Sequence, residues 1–258
     1  INIICAGKAG HIGGDMSVLD ILSTLYFRIM NVSPENQADP NRDRFVMSKG
    51  HSVEALYAVL AAKGFFPLEE VIRRFSKFGS PYIGHPNNHL PGIEMNSGSL
   101  GHGLPVSVGM ALAGKLDKAS YRVYTVMGDG ELAEGSVWEA AMAAGNYKLD
   151  NLCATIDRNG LQISGSTEQV MRLDPLKDRF QSFGWNVIEV KNGNDTDALT
   201  EAYRQAKEKK GKPTLVLADT IKGYGSSVME NKVQWHHKVP FEEEYIQISK
   251  DFERRKEE

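Results

Sequence analysis

Val126-Met127-Gly128-Asp129-Gly130-Glu131 closes a β-branched and aromatic run over residues 121–127 that reads as a buried strand. The stretch 136–147 beyond it, rich in Ala, Met, Glu and Trp, reads as a helix. A Gly-rich turn from strand to helix is where an α/β protein holds phosphate, on the free N–H groups of the helix start. Here the turn carries a carboxylate at its centre. An Asp aimed at a phosphate is repelled unless a cation stands between them, so the turn reads as a metal–diphosphate site.

Outward from the turn the pattern is regular. A helix over 104–115 precedes the first strand, and a strand over 151–157 follows the second helix. Then come a helix over 174–182, a strand over 186–191, a helix over 196–209 and a strand over 214–219. Asp195 and Gly211 supply start and stop signals for the last helix. Strands alternating with helices at this spacing predict a doubly wound α/β fold, a mostly parallel sheet with helices on both faces. Upstream, apolar spacing predicts helices over 15–30, with Asp15 as N-cap, 53–63 and 68–75. Residues 79–101 form a long, Gly-, Pro-, Asn- and His-rich loop of the kind that is usually functional. Residues 1–228 read as one diphosphate-binding domain, and 229–258 as a tail outside the sheet that ends in a charged helix.

At 258 residues the chain can bury a large core, and 41% hydrophobic with 24% charged residues is ordinary for a globular protein. A net charge of −3 gives no basic excess for nucleic acid, and Lys207 to Lys212 read as a solvated helix end. Cys5 and Cys153 are too few for a disulfide framework, which points to a reducing cytoplasm. No apolar run reaches the length of a membrane span and no signal peptide is visible. The first residue is Ile1 rather than Met, which leaves room for residues before it.

Asn159 follows the strand after that of Asp129, and ligands in a parallel sheet bind beyond the carboxyl ends of its strands. If those strands are neighbours, an Asp oxygen, an Asn amide oxygen, a carbonyl near Leu161 and two phosphate oxygens would nearly complete an octahedron of hard ligands for Mg²⁺. Asp157 is an alternative ligand, or the cap of the Asp157-Arg158-Asn159-Gly160 turn. Gly10-His11, Gly50-His51, Gly84-His85 and Gly101-His102 repeat one pattern at element ends and in loops. No histidine pair has zinc-ligand spacing; imidazoles so placed suit hydrogen bonds to phosphate and sugar hydroxyls, and proton transfer. The small residues of the helices over 104–115 and 136–147 suit close helix–helix contact, including one between subunits. Gly128-x-Gly130-x-x-Ala133, with Asp150 further on, also satisfies a dinucleotide fingerprint. A lone fingerprint is weak, and Asp129 beside a bare pyrophosphate counts against it.

The spacing from Gly128-Asp129-Gly130 to Asn159 resembles the thiamine diphosphate motif. Together with Ala9–Gly14, Ser48–His51, Gly84-His85-Pro86, Gly98–Gly101, Gly128–Gly135, Lys222–Gly225 and Trp235-His236, it makes the chain similar to the N-terminal part of the transketolase family. That resemblance implies thiamine diphosphate with Mg²⁺ or Ca²⁺ held by Asp129, Asn159 and the Leu161 carbonyl. His51, the Gly130 backbone and His236 would contact the diphosphate, Leu100 the thiazolium, and Gly128 and Glu131 would border the cofactor at its metal end. His11 and His85 would face the reacting carbon and substrate hydroxyls, with His236 joining them in moving protons. Glu134 would stand at a subunit interface, linked to the cofactor-activating glutamate of the partner domain. The chain departs from the family in Ile12 for Pro, His102 for Gln and His237 for Gly. It resembles the N-terminal subunit of a split transketolase, which moves a two-carbon ketol unit from a ketose to an aldose, both as phosphates. Its partner would be a separately encoded C-terminal subunit, in an α2β2 heterotetramer. The first subunit of a 2-oxo acid dehydrogenase, a deoxyxylulose-phosphate synthase and a non-catalytic homologue are the competing readings.

Overall fold

The computed structural model describes residues 1–257; Glu258, the last position of the expected tail, lies outside them. The strands are β1 (Arg44–Met47), β2 (Val123–Gly128), β3 (Leu152–Arg158), a small hairpin of β4 (Leu161–Gln162) and β5 (Gly165–Ser166), β6 (Asn186–Val190) and β7 (Thr214–Asp219). The hairpin apart, they form one parallel sheet in the order β1-β2-β3-β7-β6. The helices are α1 (Asn2–Gly7), α2 (Ile12–Thr24), α3 (Val53–Lys63), α4 (Leu68–Arg74), α5 (Gly103–Leu116), α6 (Gly135–Asn146), α7 (Thr167–Val170), α8 (Leu176–Ser182), α9 (Thr196–Glu208) and α10 (Glu242–Glu257).

Alternation along the strands builds two cores. Tyr124, Val126, Cys153, Val216 and Ala218 point to one face and pack with Val18 and Leu22 of α2, Tyr57 of α3 and Tyr203 of α9. Val123, Met127, Leu152, Ile156 and Leu217 point to the other, against Leu104 of α5, Ala141 of α6 and Phe180 of α8. Strands apolar on both sides have to be covered on both sides. The chain steps β1-β2-β3 with α5 and α6 on the second face, and returns from β6 to β7 with α9 on the first. Reversing direction while keeping the crossover right-handed moves the helix to the opposite face. The doubly wound sheet is the expected one.

Two expectations need correction. The 15–30 helix begins earlier, at Ile12, with His11 at the N-cap, and its last turn, Leu25–Ile29, is π-helical. Asp15 is therefore no cap; it is buried in the first turn and accepts the Ala55 N–H at 3.1 Å. The glycine pair that disguised this start is needed there, because a Cβ on Gly13 would lie 2.5 Å from the Trp235 carbonyl oxygen and one on Gly14 2.7 Å from Ser52 Oγ. β1, four residues at the sheet edge, carries too short a pattern to stand out in the sequence. Asp195 does cap α9, accepting N–H groups of Asp197 and Ala198. From residue 229 the chain stays out of the sheet; Met229, Trp235 and Ile248 pack on Ile4 and Ile12, and α10 is the charged helix. Among the described residues no helix is long and apolar enough to cross a membrane.

Asp15 and Glu54 bring two carboxyl groups together between α2 and α3. Both are buried, and among the described residues Glu54's oxygens and one of Asp15's meet no hydrogen-bond donor. Burial first, then the Asp15 charge, raises the Glu54 carboxyl far above the usual range. A carboxyl raised on folding favours the folded state below its ordinary pKa of 4.5 and loses that contribution as pH rises. Glu54→Gln should therefore raise stability at pH 7.5 by about 1–2 kcal/mol, roughly 5 °C in Tm, with the gain fading towards pH 4.5. Paired melting curves of variant and wild type at the two pH values check this; an equal shift at both would refute the assignment.

Candidate active site

β2 and β3 pair so that Gly128 faces Asp157, which sets the two predicted turns side by side at the carboxyl edge of the sheet. Asp129 Oδ1 accepts the Gly130 N–H at 2.8 Å, and its Oδ2 accepts the Gly160 N–H at 2.6 Å. One carboxylate thus ties the turn after β2 to the turn after β3. Gly160 stands at φ +76°, in the left-handed region that favours glycine. Asn159 Oδ1 accepts the Leu161 N–H at 3.2 Å while its amide nitrogen reaches Ser17 Oγ at 3.4 Å. Burial, then the neighbouring Asp157, raises the Asp129 carboxyl, against the Gly160 N–H and the charge of the Arg158 guanidinium, 3.4 Å from Oδ2. The pair with Arg158 leaves the carboxyl raised, and a metal cation here would relieve the remaining cost. Among the described residues, no three His, Cys, Asp or Glu side chains converge to hold a metal, so any ion here would rest on one carboxylate and neutral oxygens.

Asp157 does not cap its turn. Buried behind it, the carboxylate pairs with Lys49 Nζ at 2.5 Å and accepts the hydroxyls of Ser17 and Thr220. Burial pushes this carboxyl up, but Lys49 and the two hydroxyls outweigh it and hold it below the usual range. The turn expected to use Asp157 is served by Asp129 instead, because β3 runs one residue past Asp157, whose side chain is buried beneath the turn.

A cavity of about 420 Å³ opens over the turns, lined by His11, His51, Leu100, Gly128, Asp129, Gly130, Glu131, Asn159, Leu161 and His236. His85 and Glu134 are not in its wall. His85 is half-buried against Gly98, where a Cβ would come within 2.8 Å of the imidazole. Glu134 is exposed at the start of α6, its stem against Gly101. Glu131 borders the cavity, but its carboxylate is engaged by the Ser48 hydroxyl and the N–H groups of Gly101 and Gly128. It knots the loop before α5 to the turn after β2. His102 is exposed and bonds back to the Leu100 carbonyl.

Two lysines in the wall escape a reading by residue type, although they sit in the Ser-Lys-Gly-His and Lys-Gly-Tyr-Gly motifs. Lys49 is committed to Asp157. Lys222 is as deeply buried, yet its Nζ finds only the Leu161 carbonyl, at 3.4 Å, and among the described residues pairs with no carboxylate. Burial, then the charge of Lys49, lowers its pKa to about 8. A buried ammonium short of an anion, in one wall with these turns, suits a diphosphate.

The imidazoles of His11, His51 and His236 gather within 5.1–5.7 Å, and His237 joins at 4.6 Å from His11. Burial above all, with the nearby lysines and imidazoles, depresses His11 to about 4, His51 to about 2 and His236 to about 3. They are neutral at neutral pH and able both to donate and to accept. Among the described residues His236 Nδ1 is buried without a partner, an atom placed for a ligand. The dinucleotide reading fails on position: Asp150 precedes β3, at the opposite edge, where it pairs with Lys115 and accepts the Gly211 N–H.

Residues 1–253 match the family model described as "Transketolase, thiamine diphosphate binding domain". The chain is 52% identical to a subunit of the apulose-4-phosphate transketolase of Phocaeicola vulgatus, over 99% of this chain and 90% of that protein. It is 45% identical to the 6-deoxy-6-sulfo-D-fructose transketolase subunit SqwG of a Clostridium species, over 88% and 82%. The crystal structure of a Campylobacter jejuni transketolase superposes with a TM-score of 0.92 at 31% identity, covering 98% of this chain and 40% of that one.

Proposed function

The chain belongs to the transketolase family, within its thiamine diphosphate-binding domain, and we propose that it is the cofactor-holding subunit of a heteromeric transketolase. The reaction is transfer of a two-carbon ketol unit from a ketose phosphate to an aldose phosphate. Membership sets aside the 2-oxo acid dehydrogenase and deoxyxylulose-phosphate synthase readings. The observation that carries the proposal is Lys222, a buried cation without a carboxylate, in one wall with the Asp129–Gly160 tie.

Asp129, the Asn159 amide and the Leu161 carbonyl would hold Mg²⁺ or Ca²⁺ against the diphosphate; Lys222, His51, His236 and the Gly130 N–H would take the remaining diphosphate oxygens, and Leu100 would support the thiazolium. When bound, thiamine diphosphate supplies an acidic ring carbon and an electron sink for breaking a carbon–carbon bond beside a carbonyl. The chain supplies position and proton transfer. His11 and His236, neutral through burial, can take a proton from a substrate hydroxyl on a ring nitrogen and return it; His85 would bind a hydroxyl beside them. The cavity-lining carboxylates, Asp129 and Glu131, are both held by backbone N–H groups. The acid that activates the aminopyrimidine end is therefore assigned to a separate subunit, with Glu134 facing it and an α2β2 assembly expected.

Residues 1–258 alone, with thiamine diphosphate and Mg²⁺, should not turn over xylulose 5-phosphate with ribose 5-phosphate, and the co-purified partner should restore turnover. Robust activity from the chain by itself, or none from the complex, would overturn the proposal. The native mass of the complex tests the heterotetramer.

A further inference from the structure

The cofactor cavity shares His11, Ile163 and His236 with an outer cavity of about 360 Å³, whose other walls are Val233, Gln234 and His237. Cavities that meet across the same two imidazoles give the site a direction. The turns and lysines lie on the inner side and the open mouth on the outer. His237 is exposed at that mouth, its ring edge-on to His11 with centroids 4.6 Å apart and planes at 67°. Gln234 is exposed beside it.

The outer lining contains no carboxylate, ammonium or guanidinium group. Lys238, the next residue, is turned away: its Nζ lies 4.0 Å over the Trp235 ring and pairs with Glu244. An amide and imidazoles offer donors and acceptors in one place, which suits hydroxyl groups; a phosphate would call for fixed cations. Val233 and Ile163 add an apolar side for the carbon chain.

We propose that His237 and Gln234 form a subsite for the hydroxyl-bearing chain of the sugar, on the outer side of His11, and so determine substrate specificity. The inference rests on the ketol-transfer reading above. It leaves the sugar's phosphate to another surface.

The test uses the complex with its partner subunit, and His237→Gly and Gln234→Ala variants. Two donors are compared: xylulose 5-phosphate, and 3-hydroxypyruvate, which delivers the same two carbons without a polyol chain. KM for xylulose 5-phosphate should rise about 3- to 10-fold in each variant, the effect of one lost hydrogen bond. KM for 3-hydroxypyruvate, kcat and thiamine diphosphate affinity should stay within two-fold. Unchanged KM for both donors in both variants would overturn the subsite, as would an equal rise for 3-hydroxypyruvate. Wild-type complex that fails to transfer from either donor would instead overturn the function it rests on.

Discussion

Asp129→Ala should reduce thiamine diphosphate affinity by at least about 100-fold in the presence of Mg²⁺, even with the partner subunit bound. Losing a residue that only orients a metal ligand typically costs 10- to 100-fold, and the proposed role here is ligation itself. The carboxylate is also the tie between the turns after β2 and β3, through Gly130 and Gly160. Asp129→Asn separates these roles, because the amide oxygen can still accept a backbone N–H while the charge is gone. Affinity should fall in both variants, measured by titrating cofactor at fixed Mg²⁺. If Asp129→Asn bound cofactor as wild type does, the carboxylate would be a structural tie alone and the metal assignment would be wrong.

Lys49→Met should be the most damaging single change to stability. It strands Asp157, fully buried, without the cation that holds it ionised. Breaking such a pair from one side costs about 3–5 kcal/mol, roughly 10 °C in Tm for a chain of this size. Adding Asp157→Asn removes the stranded charge while leaving an oxygen to accept one of the Ser17 and Thr220 hydroxyls and an amide N–H to donate to the other. Most of the loss should then return. Thermal unfolding of both variants decides it: a double variant no more stable than Lys49→Met would show that Lys49 matters through its packing or its bond to the Gly14 carbonyl, at 3.1 Å, and not through the pair.

Local pattern alone placed the sheet and the turns. The alternation that sends Val126 to one core and Met127 to the other is a property of neighbouring residues, and so is the Asp195 cap of α9. The same holds for Asp129 and Asn159: a glycine-flanked Asp after one strand and an Asn after the next come to one edge whenever the strands are parallel neighbours. β1 and the start of α2 were hidden because neither carries its own signal. A four-residue edge strand is stabilised by pairing with β2, and the helix starts on Gly13-Gly14, poor helix formers that stand there because the Trp235 backbone and Ser52 leave no room for a Cβ.

What the tertiary structure decided was the state of each charged group. From sequence, Asp157 and Asp129 were both carboxylates near one strand edge, and Lys49 and Lys222 both lysines in glycine-containing motifs. Folding buries Lys49 with Asp157 as a matched pair and leaves Lys222 buried without one. The same packing strips water from His11, His51 and His236, which lowers their pKa values and keeps them neutral well below neutral pH. Residue type and spacing determined which groups reach the site. Desolvation and pairing, set by side chains distant in sequence, determined which are free to bind a ligand, because the cost of burying a charge depends on what is packed around it.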